Sequence, residues 1–207
     1  MPGTFPGEHI DVRGAGRPVP GLVVGRALAV PLALAAVFAA SAPVRAADNA
    51  QLQQKADMLC NMAKFVQWPE AVVAQNHGQL VVTILGEDEL AATLASVLSA
   101  RLVNGKPVFV RFARRARDAQ GSQIVYLAGS EASHTTAILA ELAGSPVLTI
   151  ADQPGFAAAG GMVNFAGDAG RVRFDIAAAR AERAGLRISS RLLALAHVID
   201  DGREGRP

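Results

Sequence analysis

The 207-residue sequence contains one cysteine, Cys60, so one way of stabilising an exported domain is excluded. A single cysteine cannot form an intramolecular disulfide, even in an oxidising compartment. Two interpretations of Cys60 stay open: a buried thiol that packs as a small hydrophobic side chain, or a redox-sensitive thiol that can form an intermolecular disulfide. The chain is long enough for one domain held by a hydrophobic core.

The N-terminal region lacks an apolar run of the length that a membrane span requires. Residues 27–44 carry no charge, but two prolines and a serine reduce the strongly apolar part to about 10 residues, whereas a spanning helix needs about 20. Basic residues precede this run, and small residues follow it at Val44 and Ala46. This order predicts a signal peptide over 1–46, a domain over 47–199 in the periplasm, and no membrane insertion after cleavage.

The predicted mature chain also lacks net charge. Cleavage after Ala46 removes four of the 20 basic residues and two of the 18 acidic residues, so 16 of each sign remain. A formal charge of zero gives no electrostatic support to nucleic acid as a partner.

Catalytic motifs are absent from the sequence. There is no G-x-S-x-G nucleophile elbow and no G-x-x-x-x-G-K-[ST] phosphate loop. His77, His134 and His197 stand alone, without a second ligand at metal-binding spacing. Asp175 and Glu182 are the nearest approach to a carboxylate pair, and solvated surface acids are the simpler interpretation. We therefore expect a binding protein without metal or cofactor rather than an enzyme.

Alternating strands and helices predict an α/β fold. The predicted strands are 80–85, 108–112, 123–127 and 147–150, and the predicted helices are 51–67, 87–100 and 130–142, the last capped by Ser130. A hairpin of 162–166 and 171–176 follows, then a helix from Ser189 or Ser190 to Val198 and a disordered tail over 200–207. We expect one three-layer domain with a mixed, mostly parallel sheet of about six strands and helices on both faces.

Two groups of residues are candidates for contacts with a partner. Four arginines after a predicted strand form the densest charge cluster, which would suit an acidic partner or a phosphate-bearing ligand, or would be a solvated loop. They are Arg111, Arg114, Arg115 and Arg117. An aromatic corner, which either anchors a partner or seals the core, consists of Phe65, Trp68 and Pro69.

The hairpin supplies the remaining candidates. Strand alternation places Arg171, Arg173 and Asp175 on one face and sends Phe174 with its apolar neighbours to the core. We expect Phe174 and Trp68 to be substantially buried, and Arg171 and Arg173 to be available to a partner.

Short segments in one order along the chain point to a family. They are Lys55-Ala56, Asn61, Ala63-Lys64-Phe65-Val66, Trp68-Pro69, Gly86, Asn104-Gly105-Lys106-Pro107, Gly160-Gly161-Met162-Val163-Asn164-Phe165, Arg171-Val172-Arg173-Phe174, and Ala184-Gly185-Leu186-Arg187-Ile188-Ser189-Ser190 with Leu192-Leu193. Together they resemble the YfiR family of bacterial periplasmic proteins from about Lys55 to His197.

The resemblance implies a periplasmic negative regulator, usually a homodimer, without known catalytic residues. Such a regulator binds the periplasmic sensor part of an inner-membrane diguanylate cyclase, represses cyclic-di-GMP synthesis and thereby limits biofilm formation. The sequence departs from the family pattern in two places. Redox-responsive members carry cysteine pairs, whereas Cys60 is the single cysteine here and stands at a position where the family often has an aromatic residue. Asp175-Ile176-Ala177 replaces a common Glu-Ile-Asn.

A second class of function stays open beside the regulator. A periplasmic small-ligand binding protein would use a cleft at the carboxyl ends of the parallel strands for an anionic or aromatic molecule. An enzyme with a site assembled from scattered residues is a third class.

The exported form is predicted to begin at Ala47, because Val44 and Ala46 are the best-placed small residues for signal peptidase. Intact mass measurement of protein purified from the periplasm checks this. A product that keeps residues 27–38 and stays in the membrane would contradict the prediction.

Overall fold

The computed structural model of the protein describes residues 42–167 and 172–199. The predicted signal segment up to residue 41, the hairpin tip with Arg171, and the predicted tail over 200–207 lie outside the described residues. The predicted cleavage point after Ala46 falls within the first described helix. Across the described ranges, none of the helices has the length and apolar character that a membrane crossing requires.

Helices and strands alternate along the described chain. The helices are α1 (Ala42–Phe65), α2 (Glu70–Gln75), α3 (Glu89–Ser99), α4 (Thr135–Leu142), α5 (Ala178–Arg183) and α6 (Ser190–Leu193). Single 3-10 segments cover Ala116–Ala119 and Gly129–His134. The strands are β1 (Val66–Gln67), β2 (Val81–Leu85), β3 (Leu102–Val103), β4 (Lys106–Pro107), β5 (Phe109–Ala113), β6 (Ile124–Leu127), β7 (Leu148–Ala151), β8 (Val163–Ala166), β9 (Arg173–Ile176), β10 (Arg187–Ile188) and β11 (His197–Val198).

The main sheet has seven strands in the order β11-β9-β8-β7-β6-β2-β5. Neighbouring strands are parallel throughout, except that β8 and β9 form the predicted antiparallel hairpin. The expectation of a mixed, mostly parallel α/β sheet is confirmed, with one strand more than the six expected. Two small sheets stand apart from it, β1 with β10 and β3 with β4.

The hydrophobic core lies on both faces of the sheet. On one face α1 and α3 contribute Leu59 and Leu94 to a cluster that includes Ile84 from β2. On the other face Leu139 of α4 packs in a second cluster with Leu85 of the same strand. Successive strand residues point to opposite faces, so β2 is buried on both sides. This arrangement gives the expected three layers.

The C-terminal segment differs from the prediction of one helix reaching Val198. Ser189 caps α6 as expected, because its side chain accepts a hydrogen bond from the Arg191 amide. However, α6 ends at Leu193, and His197–Val198 form β11 beside β9. The Ile199 amide then donates to the Ile176 carbonyl at 2.8 Å, so this strand satisfies backbone groups of β9 that a helix would leave unpaired.

Two other predicted helix boundaries are wrong. The first helix ends at Phe65 rather than Gln67, because Val66 and Gln67 pair with β10. Ser130 does not cap the third predicted helix, because it lies in the 3-10 segment that precedes α4. Its hydroxyl instead accepts a hydrogen bond from the Glu87 amide in the neighbouring loop. Contacts between distant segments decide both boundaries.

The two aromatic side chains that were expected in the core differ in burial. Phe174 is 6% exposed and packs with α1, which confirms the alternation along β9. Trp68 is half-buried and packs against the same cluster from its edge.

Replacement of Phe174 by alanine is predicted to lower the free energy of unfolding by about 3–5 kcal/mol, because it leaves a cavity in the core. Chemical denaturation measures this loss. Phe109→Ala is the matched control, since that ring is 51% exposed and removing it should cost far less. Equal losses for the two variants would contradict the assignment of Phe174 to the core.

Candidate functional site

A groove of about 530 Å³ opens between α1, β9 and α6. Most of its lining side chains are apolar. The polar ones are two side-chain amides, one carboxylate and one guanidinium. The lining residues are Gln54, Asp57, Met58, Asn61, Met62, Phe65, Val172, Arg173, Phe174, Leu192 and Leu195. The groove thus brings together Phe65 and Arg173, two candidates that the sequence places more than a hundred residues apart.

The α1 wall of the groove is made by side chains that continue the core face of the helix. Met58, Met62 and Phe65 follow at four- and three-residue spacing, so they lie on one side of α1. Met62 is 1% exposed and belongs to the core, whereas Met58 and Phe65 are half-buried against it. The apolar stripe of α1 is therefore wider than the surface that the sheet covers.

The β9 wall combines a buried ring with an exposed cation. Phe174 packs inward, while Arg173 beside it is exposed. At Arg173 the strand extends beyond β11, which pairs only with Asp175 and Ile176. Among the residues that the structure describes, the Arg173 guanidinium has no ion-pair partner, whereas Asp57 on the opposite wall contacts Arg101 with 2.7 Å between Oδ1 and Nε. Arg173 is therefore an exposed cation beside the groove.

Leu195 and Leu192 form the remaining wall, and their exposure differs sharply. Leu192 is 4% exposed and packs α6 into the core, whereas Leu195 is 75% exposed beside the groove. Sequence reasoning missed Leu195, Met58 and Asp57. The spacing of Met58, Met62 and Phe65 was a signal for the first wall, whereas nothing in the local sequence marks Leu195, because its position depends on the end of α6.

Trp68 and Pro69 are not among the residues that line the groove. The Trp68 indole Nε1 donates to the Gln123 carbonyl at 2.9 Å, at the point where β6 begins. Pro69 stands immediately before α2, and the Val72 amide donates to its carbonyl. Of the three residues of the aromatic corner, Phe65 lines the groove, whereas Trp68 and Pro69 make contacts elsewhere in the domain.

The four arginines of the predicted cluster are in two different environments. The Arg111 guanidinium forms hydrogen bonds with neighbouring segments of the domain. It donates to Thr83 Oγ1 at 2.8 Å and to Ser122 Oγ at 2.9 Å. Arg114 faces solvent and is 3.5 Å from Glu87. Arg115 and Arg117 are exposed. Arg111 is part of the sheet's own polar contacts, and the other three form a basic surface after β5.

The thiol of Cys60 is buried in α1 and is 5% exposed. Burial raises the pKa of the thiol, with a smaller increase from the Asp57 carboxylate, while the Arg101 guanidinium opposes the rise. The thiolate is the reactive form of cysteine, so this environment keeps the side chain in its unreactive form.

The carboxyl ends of β2 and β6 are where the connections reverse direction, the usual position of a ligand crevice in such sheets. Here the two following loops are bonded together. The Ser130 amide donates to Asp88 Oδ2 at 3.2 Å, and the Ser130 hydroxyl accepts from the Glu87 amide at 3.2 Å. Gly86 has φ +91°, and a Cβ there would lie 2.5 Å from Ser130 Oγ. These contacts hold the two loops close together at Gly86.

The titratable residues considered from the sequence do not meet as a catalytic group. Asp175 lies beside His197, with 3.2 Å between Oδ1 and Nδ1, rather than beside Glu182. Within 42–167 and 172–199, no three His, Cys, Asp or Glu side chains are placed to hold a metal ion.

Comparison with known proteins gives a family match. A family model described as YfiR/HmsC-like matches residues 52–197. No curated protein matches the chain. A conserved domain protein from Vibrio cholerae O1 biovar El Tor str. N16961 has 13% sequence identity and a TM-score of 0.48, over 71% of this chain and 59% of that one. An ABC domain from Streptococcus pneumonia, solved in complex with L-Trp, has 12% identity and a TM-score of 0.49, over 72% of this chain and 60% of that one. The chain thus spans about three fifths of each solved chain.

Burial of Cys60 predicts slow alkylation of the native protein and fast alkylation in urea, because only opening of the domain exposes the thiol. The raised pKa also has a consequence for stability. The folded state holds the thiol proton more tightly than the unfolded state, where the thiol has its ordinary pKa. This stabilising contribution is full below the unfolded pKa and is lost as pH rises through the folded pKa.

Denaturation of Cys60→Ala and of the unchanged protein between neutral and alkaline pH isolates this contribution. The difference in unfolding free energy between the two proteins should shift against the unchanged protein as pH rises. Rapid alkylation of the native protein near neutral pH would instead support a redox-sensitive thiol.

Proposed function

The chain belongs to the YfiR/HmsC-like family, and on that premise we propose that it is a periplasmic negative regulator of an inner-membrane diguanylate cyclase. It binds the periplasmic sensor domain of the cyclase and represses cyclic-di-GMP synthesis, which limits biofilm formation. The family match covers residues 52–197, which include every residue that lines the groove. The groove between α1, β9 and α6 is the observation that carries the proposal.

The form of the groove supports binding of a protein surface. Phe65, Met58 and Leu195 present apolar area, and Arg173 supplies a cation at its rim. Interface cores are enriched in aromatic side chains, methionine and arginine, and a few such residues supply most of the binding energy. The chemistry fits an apolar side chain of the partner with a carboxylate close to it. Arg173 would form a charge-assisted hydrogen bond with that carboxylate.

The proposed compartment rests on the sequence. A signal peptide over 1–46 would deliver a domain with no formal net charge to the periplasm, the side of the membrane on which the sensor domain of the cyclase lies. We also propose a homodimer, following the resemblance of the sequence to the family. The role is binding, so catalysis is assigned to the cyclase and not to this chain.

The groove also favours one alternative function, that of a small-ligand binding protein. Its volume of about 530 Å³ is in the range of small-molecule sites. The crevice at the ends of β2 and β6 supports this alternative less, because Ser130 and Asp88 bond the two loops together there. A ligand in the groove would compete with the partner for the same surface. One protein could therefore perform both functions, although not at the same time.

Deletion of the gene should raise cyclic-di-GMP and surface attachment in a cell that expresses the partner cyclase. The deletion strain complemented with Arg173→Glu should resemble the deletion itself, since a carboxylate there repels the partner's carboxylate. Affinity for the purified sensor domain should fall about tenfold or more. Arg187→Glu is the matched control, because it reverses an exposed arginine outside the groove and should keep repression.

Thermal denaturation must show that Arg173→Glu folds as the unchanged protein does. The double reversal with Arg171, which lies outside the described residues, tests the hairpin face as a whole. Intact repression and pull-down by the double variant would show that this face is not the interface. Unchanged cyclic-di-GMP after clean deletion, with the cyclase expressed, would overturn the regulatory function.

A further inference from the structure

The strand β5 forms one edge of the main sheet. Within residues 42–167 and 172–199 it pairs only with β2. The Phe109 amide donates to the Leu80 carbonyl at 2.9 Å, and the Gly86 amide donates to the Ala113 carbonyl at 3.2 Å. In a parallel ladder the amide and carbonyl of one residue point the same way, and the direction alternates along the strand. The backbone groups of Val110 and Phe112 therefore point away from the sheet.

Aromatic side chains are exposed on both faces of this edge. Phe109 is 51% exposed and Phe112 is 48% exposed. Val110 packs against the α1 and α3 core, and Ala113 belongs to the core under α4. By alternation Phe112 shares the first face and Phe109 the second. A ligand on one face would cover one ring, whereas a strand added to the edge would lie beside both.

The charged residue within β5 leaves the edge open to such a strand. Edge strands are usually protected by charged side chains or by a covering segment. The Arg111 guanidinium instead donates to Thr83 Oγ1, Ser122 Oγ and the Gln120 carbonyl. Because these hydrogen bonds direct the guanidinium toward polar groups of the domain, Arg111 does not protect the open side of the edge.

The exposed charges beside the β5 edge indicate which charge the added strand should carry. Arg114, Arg115 and Arg117 are exposed directly after β5, against the exposed carboxylates of Glu87 and Asp118. A second copy paired antiparallel through the same strand would place its segment 106–109, which contains no carboxylate, beside these arginines. A segment with carboxylates is attracted by this surface and by the unpaired backbone groups together.

We propose that the β5 edge is an interaction surface that binds an extended acidic segment of a partner protein by strand addition. The segment pairs with the backbone of Val110 and Phe112, covers Phe109 on one face and Phe112 on the other with apolar side chains, and places carboxylates beside the three arginines. This surface lies at the opposite edge of the sheet from β11 and β9, so it does not depend on the function proposed for the groove.

Fluorescence anisotropy tests the proposal with a labelled eight-residue peptide in which pairs of valines alternate with pairs of glutamates. Each pair places one side chain on each face of an added strand. The peptide should bind the purified protein, and a peptide with lysine in place of glutamate should not. A third peptide carries N-methyl groups on two consecutive central residues, which removes one donor from each edge and keeps every side chain. It should bind about tenfold or more weakly, because strand pairing needs those donors.

The protein side of the test uses two triple variants with equal change in charge. R114E/R115E/R117E should lose peptide binding about tenfold or more. K64E/R187E/R191E reverses three exposed cations elsewhere and should bind as the unchanged protein does. Circular dichroism confirms that both variants fold.

Three results would overturn the proposal. Equal binding of the N-methylated peptide would show that charge alone attracts the probe, and no binding of the acidic peptide at millimolar concentration would show that the edge does not accept a strand. Sedimentation that finds a dimer, dissociated by Val110→Pro or by the acidic peptide, would identify the occupant as a second copy. If the regulatory function proposed for the groove failed its test but the acidic peptide still bound, the proposal for the β5 edge would remain supported.

Discussion

Packing of α1 across the sheet is the constraint on which the rest of the structure depends. Leu59 and Ala56 are fully buried, and they belong to one core cluster with Ile84 of β2 and Phe174 of β9. Burial of apolar surface is the main favourable term in folding, and a single cysteine allows no intramolecular disulfide to support it. The same helix presents more apolar surface than the sheet can cover. The remainder, at Met58 and Phe65, becomes one wall of the groove.

Polar contacts determine the other end of the sheet. The hydroxyls of Thr83 and Ser122 are buried, lie 2.5 Å apart, and accept hydrogen bonds from Arg111. Buried hydroxyls are costly unless they are paired, so these bonds favour the position of β5 beside β2. The result is an ordered edge strand whose outward backbone groups at Val110 and Phe112 have no partner within residues 42–167 and 172–199. An edge that is ordered before binding loses less conformational entropy when a strand is added.

The two proposed surfaces therefore lie at opposite edges of one sheet, and different physical terms shape them. The groove combines half-buried apolar side chains with Arg173, whereas the β5 edge combines backbone groups with exposed rings and arginines. Between them, the loops after β2 and β6 are joined by Ser130 and Asp88. A parallel sheet of this kind would often place a ligand at that point.

Local sequence determined the elements whose pattern repeats over several residues. The β-branched run before Gly86, the alternation around Phe174 and the apolar spacing in α1 each predicted an element that the structure contains, because side-chain burial follows the period of the backbone. The single cysteine and the order of the family segments were likewise readable without coordinates. The mostly parallel sheet followed from strands that alternate with helices.

Only the tertiary structure decided what depends on contacts between distant residues. The segment at His197 became a strand because β9 offered it unpaired backbone groups, and Ser130 bonded to the neighbouring loop instead of capping a helix. Phe65 and Arg173 line the same groove, whereas the Trp68 indole donates to the Gln123 carbonyl. The Arg111 guanidinium donates to Thr83 Oγ1, while the other three arginines of the cluster face solvent. A sequence gives the periodicity of each segment, but a hydrogen bond or a groove forms only where packing brings separate segments within a few ångströms.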